Sequence, residues 1–580
     1  MIFSSKRKTR DQFIVIGKEY VFLCFILAAY TVMIMKYYWV LPWRSDELWY
    51  CYQVYSPDPN LKLFFRYFNY YIAKIITFGF KSTLEACASV SLLYCLGTIT
   101  CSYAIILRVA GRTPAIVGAI LVATFPTIIY QATYFGTDLS CLFFGMVSIW
   151  LSVSVYNRDR FNGIKMFCAG FFLLGAIYSK ETGGCFLIPV IMILFPYLRR
   201  KRYFYFFIGG VVGGFLFLSI CDYIWLNDFF YHVDPGNYLA HLDRFNNQLR
   251  EDMIGYQSGT NWTSTFFENL VTNAFPMAHI IAYISVYLTL ICIPGDRKYE
   301  NRKYLSFSIF LVSVISLTLH ESFHVWYTAL KIHKRYMLTI IIPFMLSLCC
   351  LLPFNKKEKN EHVSDSGDLF DAALVCIFVV FFFITNRNES YFKELETAWK
   401  LGNSLIHVYS FWFLLTGVSM ALFFGRKLSL SVKQRRVKYL AYIGLGIIIW
   451  YSTTWGNIAA YSYRPTHYAY VPEVISFVSF LKDKTARTYA IESDHCKFTE
   501  DSLKHMLLNK DINRSEYSRL MEKRSRDHFK LIIENDYEFL LTHKQYNLDV
   551  WNKKEKKYGI HFEKIEKFGE CSCFYRIIRN

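Results

Sequence analysis

Charge is scarce in this 580-residue chain: only 19% of its residues are Asp, Glu, Lys or Arg, and the 45 acidic ones are outnumbered by 64 basic ones. A chain with so little charge and a positive mean hydropathy is not a soluble globular enzyme. No cleavable signal is evident either. The N-terminus is basic through Lys6, Arg7, Lys8 and Arg10, but the apolar run at 20–40 is long enough to span and lacks a small-residue cleavage site, so it reads as a retained first span. There is no zinc-type Cys/His spacing, no short-period repeat and no low-complexity tract. Few charges interrupt the apolar runs and no pair of related halves is visible, which argues against a transporter or flippase.

What is present is apolar: 54% of residues, with aromatics at 19%. Runs of spanning length fall at 20–40, 85–107, 114–132, 138–156, 164–178, 183–198, 203–224, 270–293, 304–320, 336–353, 370–385, 404–425 and 438–460, about thirteen by the ~20-residue criterion. With the N-terminus inside, the loops at 108–112, 157–165, 199–202, 296–303, 355–368 and 426–438 become internal, and nearly all are rich in Lys and Arg. Outside then lie loop 41–84, the turns at 131–138 and 179–183, loop 225–269, segment 320–334, loop 386–403 and the C-terminal tail. The sequons at Asn261, Asn388 and Asn513 fall on that same side. The formal charge of +19 follows this pattern. Residues 461–580 hold 22 Lys+Arg against 18 Asp+Glu, so most of the excess sits in short membrane loops, which is not a nucleic-acid footprint.

The expected architecture is an α-helical polytopic membrane protein with a small C-terminal α/β extramembrane domain, divided into a transmembrane domain at 1–460 and a soluble domain at 461–580. The second part is polar, with strand-like runs at 487–492, 539–542 and 573–578 and no catalytic motif. Of the 16 cysteines most lie in apolar runs as small hydrophobes; Cys51, Cys496, Cys571 and Cys573 read as external, and a bridge from Cys496 to Cys571 or Cys573 is open to either partner.

Four polar features stand at external span ends. Asp46 and Glu47 lie between Trp43, Trp49 and Tyr50, just after the first span, where a charge at a helix centre would cost roughly 2.5–3.5 kcal/mol. Asp138 follows Tyr134-Phe135-Gly136-Thr137, and its ordinary explanation is a helix N-cap. Lys180-Glu181 sits in Ser179-Lys180-Glu181-Thr182-Gly183, where a surface pair would contribute little. The last is Lys331, His333, Lys334, Arg335 and Tyr336, preceded by His320, Glu321 and His324, for which the ordinary reading is a snorkelling rim. Loop 41–84 mixes Phe64, Phe65, Tyr67, Phe68, Tyr70 and Tyr71 with Lys62, Arg66 and Lys74, as amphipathic helices in the headgroup layer do. Carboxylates and cations gathered on one face suit chemistry with a phosphate leaving group: a base for the acceptor, and positive charge for the departing phosphate.

The order of these features resembles the polytopic glycosyltransferases of the GT-C superfamily, with the nearest likeness to protein O-mannosyltransferases and the bacterial lipid A aminoarabinose transferase. It is carried by the acidic pair after the first span, Ile75-Ile76-Thr77-Phe78-Gly79, Gly111-Arg112-Thr113-Pro114, Thr124-Phe125-Pro126, the stretch to Asp138, Gly175-Ala176-Ile177-Tyr178-Ser179-Lys180-Glu181, and His333-Lys334-Arg335-Tyr336 leading to Pro343. It covers about residues 20–355. One departure is Leu61-Lys62-Leu63-Phe64-Phe65-Arg66, where the family often has a His or Lys with prolines.

The resemblance implies a sugar carried on a polyprenyl phosphate and moved with inversion to a lipid, glycan or protein acceptor at the periplasmic or lumenal face. Asp46 would be the general base, with Glu47 and Asp138 shaping its site. Arg335, Lys62, Arg66 and Lys180 would bind the donor phosphate, and Trp43, Trp49, Tyr50, Glu181, His333 and Tyr336 the rest of the substrates. No cofactor is required by this scheme; a divalent metal is possible but not indicated, Glu321 with His320 and His324 being a minor candidate for its ligands. The expected membrane is the bacterial inner membrane, with the endoplasmic reticulum as the alternative. Competing readings are a transporter or flippase of a lipid-linked or anionic substrate, and a polysaccharide ligase or polymerase.

Overall fold

The computed structural model describes residues 20–39, 45–55, 66–80, 82–155, 160–237, 239, 287, 291, 297–319, 338–352, 371–376, 378–380, 488–490, 539–543, 559–568 and 572–579. The first helix, α1 (Tyr20–Lys36), ends in a π-helical turn at Ile34–Tyr38. It is followed by α2 (Ser45–Tyr55), α3 (Tyr67–Thr77), α4 (Thr83–Val109), α5 (Arg112–Thr124), α6 (Pro126–Gln131), α7 (Thr137–Ser154) and α8 (Asn162–Ile177). A 3-10 turn at Glu181–Phe186 leads to α9 (Leu187–Leu198) and α10 (Lys201–Leu226); α11 (Arg297–Leu319) and α12 (Leu338–Leu351) come later. By length and composition α4, α7 and α10 can each cross a membrane, and α1, α5, α8, α9, α12 and Asp371–Val380 are shorter apolar helices.

These helices stand where the apolar runs placed spans, with one difference. The run at 114–132 is two helices, because Pro126 opens α6 and holds the residue before it, Phe125, extended at ψ 126°. The proline ring clashes with a helical conformation at the preceding residue, so α5 has to stop there. The runs at 270–293, 404–425 and 438–460 fall outside the described residues, apart from Tyr287 and Ile291.

Packing separates central helices from peripheral ones. In α7 nearly every residue from Thr137 to Ser154 is buried. By contrast, α10 exposes Tyr205, Ile208, Val212, Leu216, Ile220 and Tyr223 along one side while burying Phe207, Gly210, Gly214, Leu218 and Asp222. An apolar stripe left uncovered along a spanning helix is a lipid-facing surface. Its other side meets α8 closely: a Cβ added at Gly210 would lie 1.8 Å from the Phe167 carbonyl oxygen, and one at Gly170 would lie 2.3 Å from that of Phe207. Only glycine lets the two backbones touch this way.

One end of the bundle is closed by polar contacts among α4, α5, α7 and α8. Arg108 donates to the Ser154 carbonyl at 3.4 Å, and the Asn162 amide donates to that of Val155 at 3.2 Å. Gly111, at φ +103°, turns α4 into α5. Arg112 and Thr113 then grip the buried Asp371, the threonine hydroxyl at 2.8 Å from one oxygen and the guanidinium on the other. The Gly111-Arg112-Thr113-Pro114 sequence is thus a fastening between helices.

Loop 1 differs from its expected form. The aromatic residues of α3 do not face lipid: Tyr67, Phe68, Tyr70 and Tyr71 are at most 1% exposed, and Phe68 packs edge-on to Phe144 and Phe171. Protein rings compete with lipid for this face and give it fixed geometry. Only the end of α3 remains open, through Ile75 and, just beyond it, Phe78. Cys51, expected to be external, is fully buried in α2, and burial, followed by the neighbouring Cys87, pushes its thiol well up.

Near the C-terminus, β1 (Thr488–Ala490), β2 (Phe539–His543), β3 (Ile560–Phe568) and β4 (Ser572–Arg579) form a sheet in the order β1-β2-β4-β3. The β1–β2 pair is parallel and the others are antiparallel, with a bulge between Lys564 and Glu566. The expected strands at 487–492, 539–542 and 573–578 correspond to β1, β2 and β4.

Candidate active site

The end of the bundle opposite the Arg112–Asp371 fastening gathers charge from four segments. The first is α2. Glu47, 3% exposed, accepts the backbone N–H of Phe135 through Oε1 at 3.1 Å. This bond ties α2 to the turn between α6 and α7, with Asp46 next to Glu47 on the same helix. The turn is buried throughout, and in it the amide of Gln131 has no hydrogen-bond partner for either its nitrogen or its oxygen. Buried polar atoms are nearly always paired, so this amide stands out against its surroundings.

The second segment is the start of α7. Gly136 occupies the N-cap position and Asp138 the first turn, so Asp138 is not the cap. Its carboxylate instead receives the ammonium of Lys180, both side chains being under 10% exposed. The N-terminus of α7 favours a negative charge there by about 0.3–1 kcal/mol. Lys180 is therefore a buried residue rather than a surface one, and it reaches across to α7.

Lys180 belongs to the third segment, the turn after α8. Ser179 donates to the Gly175 carbonyl at 2.7 Å, Lys180 N to Ala176 at 3.2 Å, and Gly183 N back to Lys180 at 2.8 Å. A Cβ on Gly183 would lie 2.2 Å from the Ala176 carbonyl oxygen, so the tight fold of this turn needs glycine. Thr182 is close to Cys141 of α7, at 3.8 Å.

The fourth segment is the entry to α3. Arg66 has φ +124°, a region non-glycine residues rarely occupy, and such strain tends to sit at functional positions. Among its contacts, its backbone N–H donates to the Tyr178 carbonyl at 2.8 Å, and its guanidinium donates to the Tyr50 hydroxyl at 3.1 Å while lying 5.5 Å from the centre of that ring. Tyr50 thus acts on Arg66, and its ring also faces Tyr70. Asn69, fully buried two residues into α3, is a second amide without a partner.

Of the residues expected at the site, Glu47, Tyr50, Arg66, Asp138 and Lys180 are brought to this end. The backbones of Asp46, Trp49 and Glu181 are here too, their side chains lying outside the described set. Trp43, Lys62, His333, Arg335, Tyr336, the His320-Glu321-His324 cluster, Cys496 and Cys571 fall outside the described residues, as does the side chain of Cys573. Among the described residues no three His, Cys, Asp or Glu side chains group as metal ligands. Sequence reasoning missed Gln131 and Asn69, which only burial reveals. It also missed Asp222 and His232, although a lone acid in the apolar run of α10 was a visible signal.

Residues 67–225, from α3 through nearly all of α10, match the family described as dolichyl-phosphate-mannose-protein mannosyltransferase. That match covers about a quarter of the chain. The matched stretch includes Asp138, Lys180 and the turn around Gly183, and begins one residue after Arg66. Among solved structures, the chain is similar to ArnT from Cupriavidus metallidurans in the apo state (12% identity, 97% of this chain and 98% of that one, TM-score 0.48). It is also similar to ArnT bound to undecaprenyl phosphate (13%, 97% and 98%, 0.47) and to the oligosaccharyltransferase of Archaeoglobus fulgidus (11%, 96% and 74%, 0.43). No curated protein matches the sequence significantly.

Proposed function

We propose that the chain transfers a sugar, with inversion, from a polyprenyl-phosphate donor to a hydroxyl-bearing acceptor at the periplasmic or lumenal face of its membrane. The observation that carries this reading is the convergence of Glu47, Asp138 with Lys180, and Arg66 from four separate segments at the loop-1 end. Asp46 takes the acceptor hydroxyl proton while the oxygen attacks the anomeric carbon from the face away from phosphate. The carbon–oxygen bond to phosphate breaks, and polyprenyl phosphate leaves with the bonding electrons. A placed general base typically contributes about 10²–10⁴ in rate.

Lys180 and Arg66, with Lys62 and Arg335, neutralise the phosphate as its charge grows. Arg suits this because its planar fork holds two oxygens at once. Asp138 keeps the ammonium of Lys180 charged at a depth where a lone cation would be costly. Beside this turn an apolar groove of about 550 Å³ runs between α8, α9 and α10, lined by Leu174, Ile177, Leu187, Ile191, Phe195 and Ile208 among others. Its upper lining residue Ile177 is three positions before Lys180, which offers a prenyl chain a path while its phosphate lies at the cations. Residues 461–580 form the extramembrane domain on the same side, and the bacterial inner membrane is the favoured location.

The test is turnover of a panel of radiolabelled polyprenyl-phosphate monosaccharides by the protein in lipid, wild type against Asp46→Asn. Release of polyprenyl phosphate by wild type, and its loss in the variant, is expected. Turnover of diphosphate-linked oligosaccharides alone would replace this reading with that of a ligase.

A further inference from the structure

A second buried polar cluster lies beside the cations. Asp222, fully buried one turn before the end of α10, accepts the Tyr71 hydroxyl of α3 on Oδ1, and Oδ2 stands 2.6 Å from Nδ1 of His232. His232 sits in the turn after α10, with its side chain fully enclosed. Tyr67, Tyr178 and Tyr231 meet its ring edge-on at 5.2, 5.3 and 5.1 Å between centroids. A carboxylate in a spanning helix is costly to keep and calls for a reason.

Following the contacts outward supplies one. Tyr178, which packs on His232, is the residue whose carbonyl holds the N–H groups of Arg66 and, at 3.3 Å, Phe68. It lies two positions before Lys180. Tyr71 and Tyr67 belong to the helix that Arg66 begins. Burial, then the charge of Asp222, pushes the Tyr71 hydroxyl up, so it stays a donor to the carboxylate. One acid thereby ties together the two segments that carry the two cations.

We propose that Asp222, with His232 and Tyr71, is a positioning network that sets the spacing between Arg66 and Lys180 and so fixes the seat of the donor phosphate. This rests on the reading of those cations as the phosphate site. None of the three residues needs to touch substrate. Their effect is confined to the geometry of the groups that do.

The experiment compares wild type, Asp222→Asn, Asp222→Glu and Tyr71→Phe as full-length protein in lipid nanodiscs. It measures KM for a polyprenyl-phosphate sugar, KM for the acceptor, and amide hydrogen exchange over 66–77 and 178–183. Misplaced binding groups typically cost about ten- to a hundredfold. Asp222→Asn and Tyr71→Phe should raise donor KM by that order, leave acceptor KM nearly unchanged and speed exchange in both segments. Asp222→Glu should recover part of the loss. Tyr71→Phe removes a single hydroxyl and keeps the test open if Asp222→Asn does not fold. Unchanged exchange and donor KM in Tyr71→Phe, with wild type turning over donor normally, would overturn the network alone. Donor and acceptor KM rising together would reduce it to general stability. Wild type that binds no polyprenyl phosphate would overturn the phosphate site and this role with it.

Discussion

Each end of the helical bundle holds a buried acid paired with a cation, and the two pairs differ in what surrounds them. At the Arg112 end, both oxygens of Asp371 are taken by Arg112 and Thr113, and the pair joins two helices. At the loop-1 end, Asp138 and Lys180 are one pair within a larger set that includes Glu47, Arg66 and the orphaned amide of Gln131. The first pair stands as a local tie between helices, whereas the second stands in a cluster of charges from several segments beside a buried amide that has no partner.

Breaking the two pairs should therefore have opposite signatures. Lys180→Met is expected to lower turnover by about 10²–10³, the scale of losing one electrostatic contact to a transition state. Steady-state release of polyprenyl phosphate measures it. Arg112→Met should instead act on stability, by about 3–5 kcal/mol, because it strands Asp371 in a buried position. Thermal unfolding in detergent reads that loss, and the turnover of the surviving folded protein should stay near wild type.

Smaller changes sharpen the contrast. Gly183→Ala places a methyl against the Ala176 carbonyl and is expected to cost about 1–3 kcal/mol, with a rise in donor KM as Lys180 shifts. Melting temperature and donor titration together check it. The smallest effect on stability should come from Gln131→Leu. Removing an unpartnered buried amide is near neutral for folding, while kcat/KM falls if substrate is what satisfies it. A variant that melts like wild type and retains full kcat/KM would return Gln131 to a packing role.

Much of this was legible in the sequence, and the remainder was hidden for physical reasons. The spans at 85–107, 138–156, 164–178 and 203–224 became α4, α7, α8 and α10 within a few residues, since length and apolarity suffice to mark a membrane helix. Asp138 and Lys180 were each singled out, but not as partners. Helices buried on nearly all sides, as α5 and α7 are, carry no polar face that tells which neighbour each will meet. The aromatic residues of α3 were read as part of amphipathic helices in the headgroup layer because a Tyr at an interface and a Tyr in a core look alike until packing is known. Asp222 lay in plain view, yet its partner His232 is ten residues away and Tyr71 is 151, a separation no local pattern reports.

The most direct test of the difference between the two ends is a charge swap, Asp138→Lys with Lys180→Asp, assayed for polyprenyl-phosphate release in lipid beside the matching swap of Arg112 and Asp371. The buried pair is rebuilt in both proteins, less about 0.3–1 kcal/mol for a cation at the start of α7. If the loop-1 charges act on substrate, the first swap melts near wild type but releases no polyprenyl phosphate, while the second keeps both properties. Release at the wild-type rate by the first swap would show that Asp138 and Lys180 only fasten helices.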